Sequence, residues 1–152
     1  YRSLEEIARR VPRVTLTINS PANGGNLIAS SDYLREKERI LTTGLEVYEY
    51  NGGLSYHGKT ILMDNRLSIV GSFNLDMRST YLDTELMLVV DCVELNQELR
   101  RNFEALERDS EKVLSIDVNL PAPSGVEAIA SDKKSRRLNI LKYITYPFRF
   151  LI

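Results

Sequence analysis

The sequence reads YHGKTILMDNRLSIVGSFN over residues 56–74. This segment contains His57, the single histidine of the chain, and Lys59 two residues later. Written as spacing, it is H-x-K-x4-D-x6-G-S-x-N, with Asp64 in the fifth place after the lysine. The aliphatic and β-branched residues on both sides of Asp64 predict two strands joined by a hairpin turn at that aspartate.

The residue types in this segment suit a phosphate ligand. In an extended strand, His57 and Lys59 lie on the same face because side chains alternate between faces. An ammonium can bind a phosphate oxygen, while an imidazole can transfer protons near neutral pH. Ser72 and Asn74 are again two residues apart, and they add a hydroxyl and an amide as further donors. We therefore expect these four side chains to face one anion-binding pocket.

The segment resembles the signature motif of the phospholipase D superfamily. The wider run from Tyr50 to Asn96 is similar to the C-terminal half of bacterial cardiolipin synthases and related phosphatidyltransferases. The features that carry this resemblance are GSFNLDMRS at residues 71–79 and DTE at residues 83–85. The resemblance is specific over residues 45–96 and looser outside them.

The resemblance implies a role for each residue of the motif. His57 would be the active-site histidine, either as the nucleophile or as the general acid. Lys59 and Asn74 would bind the phosphate oxygens, with Ser72 assisting. Glu85 would orient the histidine through its second ring nitrogen, as a carboxylate does for histidine in hydrolase triads.

Three other charged residues of the region receive a structural interpretation. Asp64 belongs to the catalytic motif, but we expect it to hold the hairpin rather than to touch substrate. For Asp76 and Arg78 we expect a buried ion pair or a brace of the loop. The resemblance implies no metal and no cofactor, and a metal site with two or three histidines cannot be built from one histidine.

The implied reaction is transfer at a phosphodiester through a covalent phosphohistidine, and it needs two histidines. The second would come from an identical chain across a two-fold axis or from another motif in a longer chain. The start at Tyr1 and the likeness to a C-terminal half favour the longer chain. We therefore expect residues 1–115 to be a catalytic domain and residues 116–152 a C-terminal extension, both parts of a two-motif protein.

Length and pattern indicate the fold class. The 152 residues are enough for one ordinary domain, and strand and helix patterns alternate as in α/β proteins. Strands are predicted at 14–18, 45–50, 54–63, 67–70 and 84–91. Helices are predicted at 4–10, 30–43, 93–114 and near the C-terminus. The run within 84–91 is nearly all apolar, which is typical of a strand covered on both faces. With the resemblance, these elements predict a phospholipase D-like α-β-α sandwich with a mixed, mostly buried β-sheet.

The charge of the chain is unevenly distributed. It contains 20 basic and 21 acidic residues, a balance that disfavours a general nucleic-acid binder. Residues 131–152, called the tail below, carry six basic residues and one acid, for a net charge of +5. Apolar and aromatic residues lie between those charges. This composition fits a segment that binds a membrane surface, or a final helix that packs on its own domain.

Two main functions remain open at this point. The first is a membrane-associated bacterial enzyme, on the cytoplasmic face, that acts on phospholipids as a cardiolipin synthase-like transferase or as a phospholipase D. The alternative is a homodimeric, metal-independent endonuclease of the phospholipase D type, which the net charge of −6 over residues 1–130 disfavours. A module that keeps the fold and only binds phosphate or a lipid surface is a third reading, which the intact motif disfavours.

Overall fold

The computed structural model describes residues 1–151, without the side chains of 149–151. The basic and apolar side chains of the tail at 149–152 therefore lie outside the described part. The chain forms two compact units. The first contains Tyr1–Tyr56 and Leu106–Tyr146, and the second contains His57–Ala105 and the residues that follow Tyr146.

Helices and strands alternate along the chain, which confirms the α/β class. The helices are α1 (Arg2–Arg10), α2 (Leu27–Leu41), α3 (Met77–Tyr81), α4 (Val93–Arg108) and α5 (Asp132–Ile144), with a final 3-10 helix at Tyr146–Leu151. The strands are β1 (Thr15–Asn19), β2 (Glu46–Tyr50), β3 (Thr60–Met63), β4 (Leu67–Gly71), β5 (Met87–Asp91), β6 (Ser110–Val113) and β7 (Asn119–Leu120). The sequence predictions agree with these bounds to within about three residues, except over residues 54–59 and beyond Arg108, and they do not include the short helix α3.

The first unit is built on a four-stranded sheet in the order β1-β2-β6-β7. β1 and β2 are parallel, and the other two pairings are antiparallel, which confirms a mixed sheet. Helices α2 and α5 pack against each other in this unit. The fully apolar part of its core is small and consists of Leu45, Val47, Val113, Ala122 and Leu138.

The predicted strand at 54–63 is wrong over its first half, because β3 begins only at Thr60. Tyr56 is held in a loop by the side chain of Asn19, at the end of β1. The Asn19 amide accepts a hydrogen bond from the Tyr56 N–H at 2.8 Å and donates one to the Tyr56 carbonyl at 2.6 Å. Gly53 has a φ of 89°, a value that suits glycine and bends the chain out of an extended path. The Asn19 side chain thus forms the hydrogen bonds with the Tyr56 backbone that a neighbouring strand would form if residue 56 were in a sheet.

The predicted helix at 93–114 is also wrong at its C-terminal end. α4 ends at Arg108, and residues 110–113 form strand β6. β6 pairs with β2 in antiparallel register, with Val113 opposite Val47. Both valines are buried, so burial on the sheet outweighs the helical spacing that continues through this segment.

The second unit contains a three-stranded antiparallel sheet, β3-β4-β5. Ser68 in β4 and Asn96 in α4 are both fully buried, and the Asn96 amide donates to the Ser68 hydroxyl at 3.3 Å and to the Leu67 carbonyl at 2.7 Å. α4 therefore covers the face of the sheet that contains Ser68. In β5, Leu88 and Val89 are each 60% exposed, so the expectation that this run is covered on both faces is wrong for this chain.

Candidate active site

His57 and Lys59 lie together in the second unit, just before β3. The Lys59 ammonium is 2.9 Å from each ring nitrogen of His57 and donates to the His57 carbonyl at 2.9 Å. The histidine is exposed and Lys59 is half-buried. An approaching anion can therefore meet the imidazole and the ammonium at the same point.

The cause of this proximity differs from the predicted one. The two residues precede β3, so they are not neighbours on one face of a strand. The lysine side chain instead folds back onto the backbone of His57. The Gly71 N–H donates to the Lys59 carbonyl at 3.1 Å, which ties this segment to the end of β4.

Ser72 and Glu85 form a second pair. The Ser72 hydroxyl donates a short hydrogen bond to Glu85 Oε2, and it accepts one from the Leu86 N–H at 3.1 Å. The Ser72 N–H in turn donates to the Leu86 carbonyl at 3.0 Å, which continues the pairing of β4 with β5. At Gly71, a side chain would press on the backbone of Met87, since a Cβ there would lie 2.9 Å from its Cα. A glycine is therefore needed for the close approach that joins Ser72 to Glu85.

The hydrogen bonds around Glu85 lower the pKa of its carboxyl group. The Ser72 hydroxyl is the largest cause, followed by a hydrogen bond from Ser79 and then by the positive charges of Lys59 and Arg78. The Gly71 N–H bonds the Lys59 carbonyl and Ser72 is the next residue, so the His57–Lys59 pair and the Ser72–Glu85 pair are neighbours at the end of β4.

Glu85 is bonded to Ser72, while His57 is bonded to Lys59. The resemblance implies that Glu85 also contacts the His57 ring, and that contact stays a prediction.

Ser79 is a part of the site that the sequence reasoning did not single out. It is 5% exposed, its hydroxyl accepts a hydrogen bond from the Asn74 N–H at 3.2 Å, and it contributes to the lowered pKa of Glu85. Its own N–H donates at 2.7 Å to Asp76, the N-cap of α3. Ser79 thus ties the loop that contains Asn74 to the start of α3. The available signal was D-x-x-S at residues 76–79, a helix-capping pattern inside the family-like segment.

The charged residues near this loop act as braces. Asp76 caps α3, and Arg78 forms an exposed ion pair with Asp83, with the two charged groups 2.8 Å apart. The brace predicted for this loop is therefore present, but the partner of Arg78 is Asp83 rather than Asp76.

Asp64 lies in the β3–β4 turn. Its φ is 51°, in the left-handed region, and its carbonyl accepts a hydrogen bond from Arg100 in α4. Aspartate tolerates this backbone conformation better than most residues do. These contacts support the interpretation of Asp64 as a residue that holds the hairpin.

Replacing Ser72 by alanine is expected to raise the pKa of Glu85 toward its ordinary value, because the hydroxyl is the main group that stabilises the carboxylate. Since the native pKa is the lower one, this contact stabilises the fold above the unfolded-state pKa. Its contribution is lost as the pH falls through the native value. A pH titration of the Glu85 side-chain carbon by NMR measures the shift. Ser115→Ala, at an exposed serine in the other unit, is the matched control. An unchanged titration in Ser72→Ala would contradict this arrangement.

Residues 1–107 match the family described as cardiolipin synthase, phospholipase D-like domain, and the chain belongs to this family of the phospholipase D superfamily. Cardiolipin synthase C of Escherichia coli is 28% identical over 131 residues, which cover 75% of this chain and 28% of that protein. Cardiolipin synthase A of Erwinia tasmaniensis is 50% identical over 52 residues, which cover 34% of this chain and 10% of that protein. The matched segments thus cover less than a third of the length of these two relatives.

Two solved structures share the fold. One is described as a phospholipase D family member, Nuc, from Salmonella typhimurium; the likeness has a TM-score of 0.59 at 21% identity and covers 75% of this chain and 72% of that one. The other is phosphatidylserine synthase of Haemophilus influenzae, with a TM-score of 0.65 at 12% identity over 99% of this chain and 38% of that one. These likenesses confirm the phospholipase D-like fold predicted from the sequence.

Proposed function

We propose that this chain supplies one half of a phosphodiester-cleaving active site that acts on phospholipids, as a phosphatidyltransferase or phospholipase D. The observation that carries the proposal is the contact of the Lys59 ammonium with both ring nitrogens of His57 at 2.9 Å. An exposed imidazole beside a held cation suits an attack at a phosphate diester. The family and the relatives named cardiolipin synthase support a lipid substrate.

The proposed reaction divides the transfer into two displacements at phosphorus. In the first, one imidazole nitrogen attacks phosphorus and the bond from phosphorus to the leaving alcohol breaks, while a second imidazole gives that alcohol a proton. In the second, water or another alcohol attacks phosphorus and the phosphorus–nitrogen bond breaks. The second imidazole takes the proton that the attacking water or alcohol gives up. Each step has a lower barrier than direct displacement, which is the general gain of nucleophilic catalysis. His57 is one of these two imidazoles, as the nucleophile or as the acid.

The other side chains have electrostatic and positioning roles in this proposal. Lys59 and the Asn74 amide bind the phosphate oxygens and stabilise the charge that develops there, with the Ser72 hydroxyl assisting. Glu85 orients the imidazolium, and its low pKa keeps it charged for this task. Asp64 holds the β3–β4 turn.

The second histidine must come from outside this chain, since His57 is its only one. We propose that it comes from a second phospholipase D motif in a longer protein, for which residues 1–115 form the catalytic part and residues 116–152 an extension, of which residues 116–146 pack in the first unit. The short span of the chain relative to the cardiolipin synthases is consistent with this arrangement. A second copy related by a two-fold axis is the other source.

A substrate assay tests the proposal. The full-length protein, incubated with phosphatidylglycerol vesicles, is expected to release or transfer the phosphatidyl group, because the site binds a lipid phosphodiester. The measurement is product formation by mass spectrometry, with plasmid DNA in the presence of a chelator as the parallel substrate. If the protein nicked DNA but did not turn over lipid, and Lys59→Ala abolished the nicking, the proposed lipid enzyme would be wrong. The homodimeric endonuclease would then be the better assignment.

A further inference from the structure

Helix α5 is held to the first unit by one face. Leu138 is 3% exposed in the core, and the Lys134 ammonium donates to the carbonyl of Gly24 at 2.9 Å. Near the other end, the Arg35 guanidinium donates to the Lys142 carbonyl at 3.3 Å and stacks on the ring of Tyr146 at 3.5 Å. These contacts fix both ends of α5 to the first unit. The opposite side of the helix therefore faces away from that unit along its whole length.

The opposite face, called the outer face, separates charge from apolar surface. Its exposed side chains, in order, are Asp132, Lys133, Arg136, Arg137, Asn139, Ile140, Tyr143 and Ile144. The three cations lie in the first two turns and the three apolar or aromatic residues in the last two. At 1.5 Å per residue, the centres of the two groups are about 10 Å apart along the helix. Asp132 at the helix N-terminus is the only acidic residue of α5.

The exposure of the apolar group is high for residues of this kind. Ile140 is 58% exposed, Tyr143 69% and Ile144 60%. Because the inner face of α5 is fixed by the contacts of Arg35 and Lys134, these residues cannot turn inward without breaking them. A contiguous apolar surface beside a cationic one marks an interaction site.

We propose that the outer face of α5 docks on the surface of an anionic lipid bilayer. Charge complementarity selects this partner: three cations meet lipid phosphates, while the isoleucines and the tyrosine enter the boundary between head groups and acyl chains. A tyrosine beside aliphatic residues suits this boundary, since its ring is apolar and its hydroxyl is hydrated. In the described part of the chain, no helix has the length and apolar character to cross a bilayer. A helix that binds through such an amphipathic face lies in the plane of the surface.

This inference concerns a different surface from the phosphodiester site and does not depend on the proposed chemistry. It accounts for three of the six basic residues of the tail, since cations that were only solvated would not need an ordered apolar group beside them. The two interpretations of the tail then hold together, one for each face of α5. The inner face of α5 packs on its own unit, and the outer face binds the membrane.

The test is co-sedimentation of the 152-residue chain with vesicles of phosphatidylcholine containing phosphatidylglycerol. Binding is expected to these vesicles and not to vesicles of phosphatidylcholine alone, and to weaken at 1 M salt, where the screening length falls to about 3 Å. The triple change of Lys133, Arg136 and Arg137 to glutamine is expected to weaken partitioning about 100-fold, from the typical contribution of each basic residue near an anionic surface.

The matched control is the triple change of Arg2, Arg9 and Arg101 to glutamine, which removes the same charge from exposed positions on α1 and α4. Circular dichroism checks that both variants fold. If both triple variants lost vesicle binding equally, binding would depend only on net charge and the proposal would be overturned. Equal binding to neutral and anionic vesicles would also overturn it. A dimer that dissociates on changing Ile140 and Ile144 to serine, with vesicle binding unchanged, would assign the outer face to a second copy instead.

Discussion

Replacing His57 by alanine in the full-length protein is expected to abolish phosphatidyl transfer, with a loss of at least about 10⁴-fold in kcat. Either role of this histidine leads to the same result, because loss of the nucleophile or of the acid stops the first displacement. Steady-state turnover of a phospholipid substrate measures the loss. A loss in kcat much smaller than about 10⁴-fold would contradict the proposed role of His57.

The fold of this variant is expected to remain intact. His57 is exposed and its ring is bonded to the side chain of Lys59, so its removal is expected to change the free energy of unfolding by less than about 0.5 kcal/mol. Leu54→Ala is the matched control, because Leu54 lies three residues away and is 84% exposed. It removes apolar surface from the loop before the motif and is expected to keep wild-type turnover.

Replacing Lys59 by alanine is expected to lower kcat by about 10²- to 10³-fold, the typical effect of removing one donor that stabilises developing charge. In the proposed reaction the ammonium binds the phosphate oxygens. In the structure it also contacts the backbone and ring of His57 and contributes to the low pKa of Glu85. Lys59→Arg keeps the charge but changes the geometry, and is expected to restore part of the loss. Single-turnover kinetics separate this effect on chemistry from one on binding.

A cation at a distance serves as the control for Lys59. Arg101→Ala removes an exposed positive charge from α4 in the same unit and is expected to leave kcat unchanged. If Lys59→Ala raised KM alone and left kcat as it is, Lys59 would bind the ground state and the transition state equally. The proposed preferential stabilisation of the transition state would then be wrong.

The sequence predicted the part of the site that depends on local spacing. His57 and Lys59 are two residues apart, and any backbone path that lets the lysine fold back brings them together. The pairing of Ser72 with Glu85 depends on the register of β4 against β5, which neither the local pattern nor the resemblance predicted. Ser79 was missed because a buried serine has no signal in the sequence beyond its capping pattern.

The errors in the fold have a common physical origin. The predicted strand at 54–59 is a loop because Asn19, distant in sequence, satisfies the backbone of Tyr56. The predicted helix end became β6 because pairing with β2 buries Val113. In both places a tertiary contact outweighed a local pattern, and such contacts cannot be read from residue spacing. Whether the apolar residues of β5 are covered depends likewise on tertiary contacts, which the local pattern does not reveal.

The central claim is that His57 belongs to a two-histidine site that forms a covalent intermediate. The most direct measurement is to mix the full-length protein with a phospholipid substrate, quench in alkali during the first turnover and locate any phosphatidyl adduct by mass spectrometry. The account predicts an adduct on His57 or on the histidine of the second motif, and predicts that His57→Ala prevents its formation or its discharge. Full turnover with no adduct on any histidine, or an adduct that forms and discharges at the wild-type rate in His57→Ala, would contradict it.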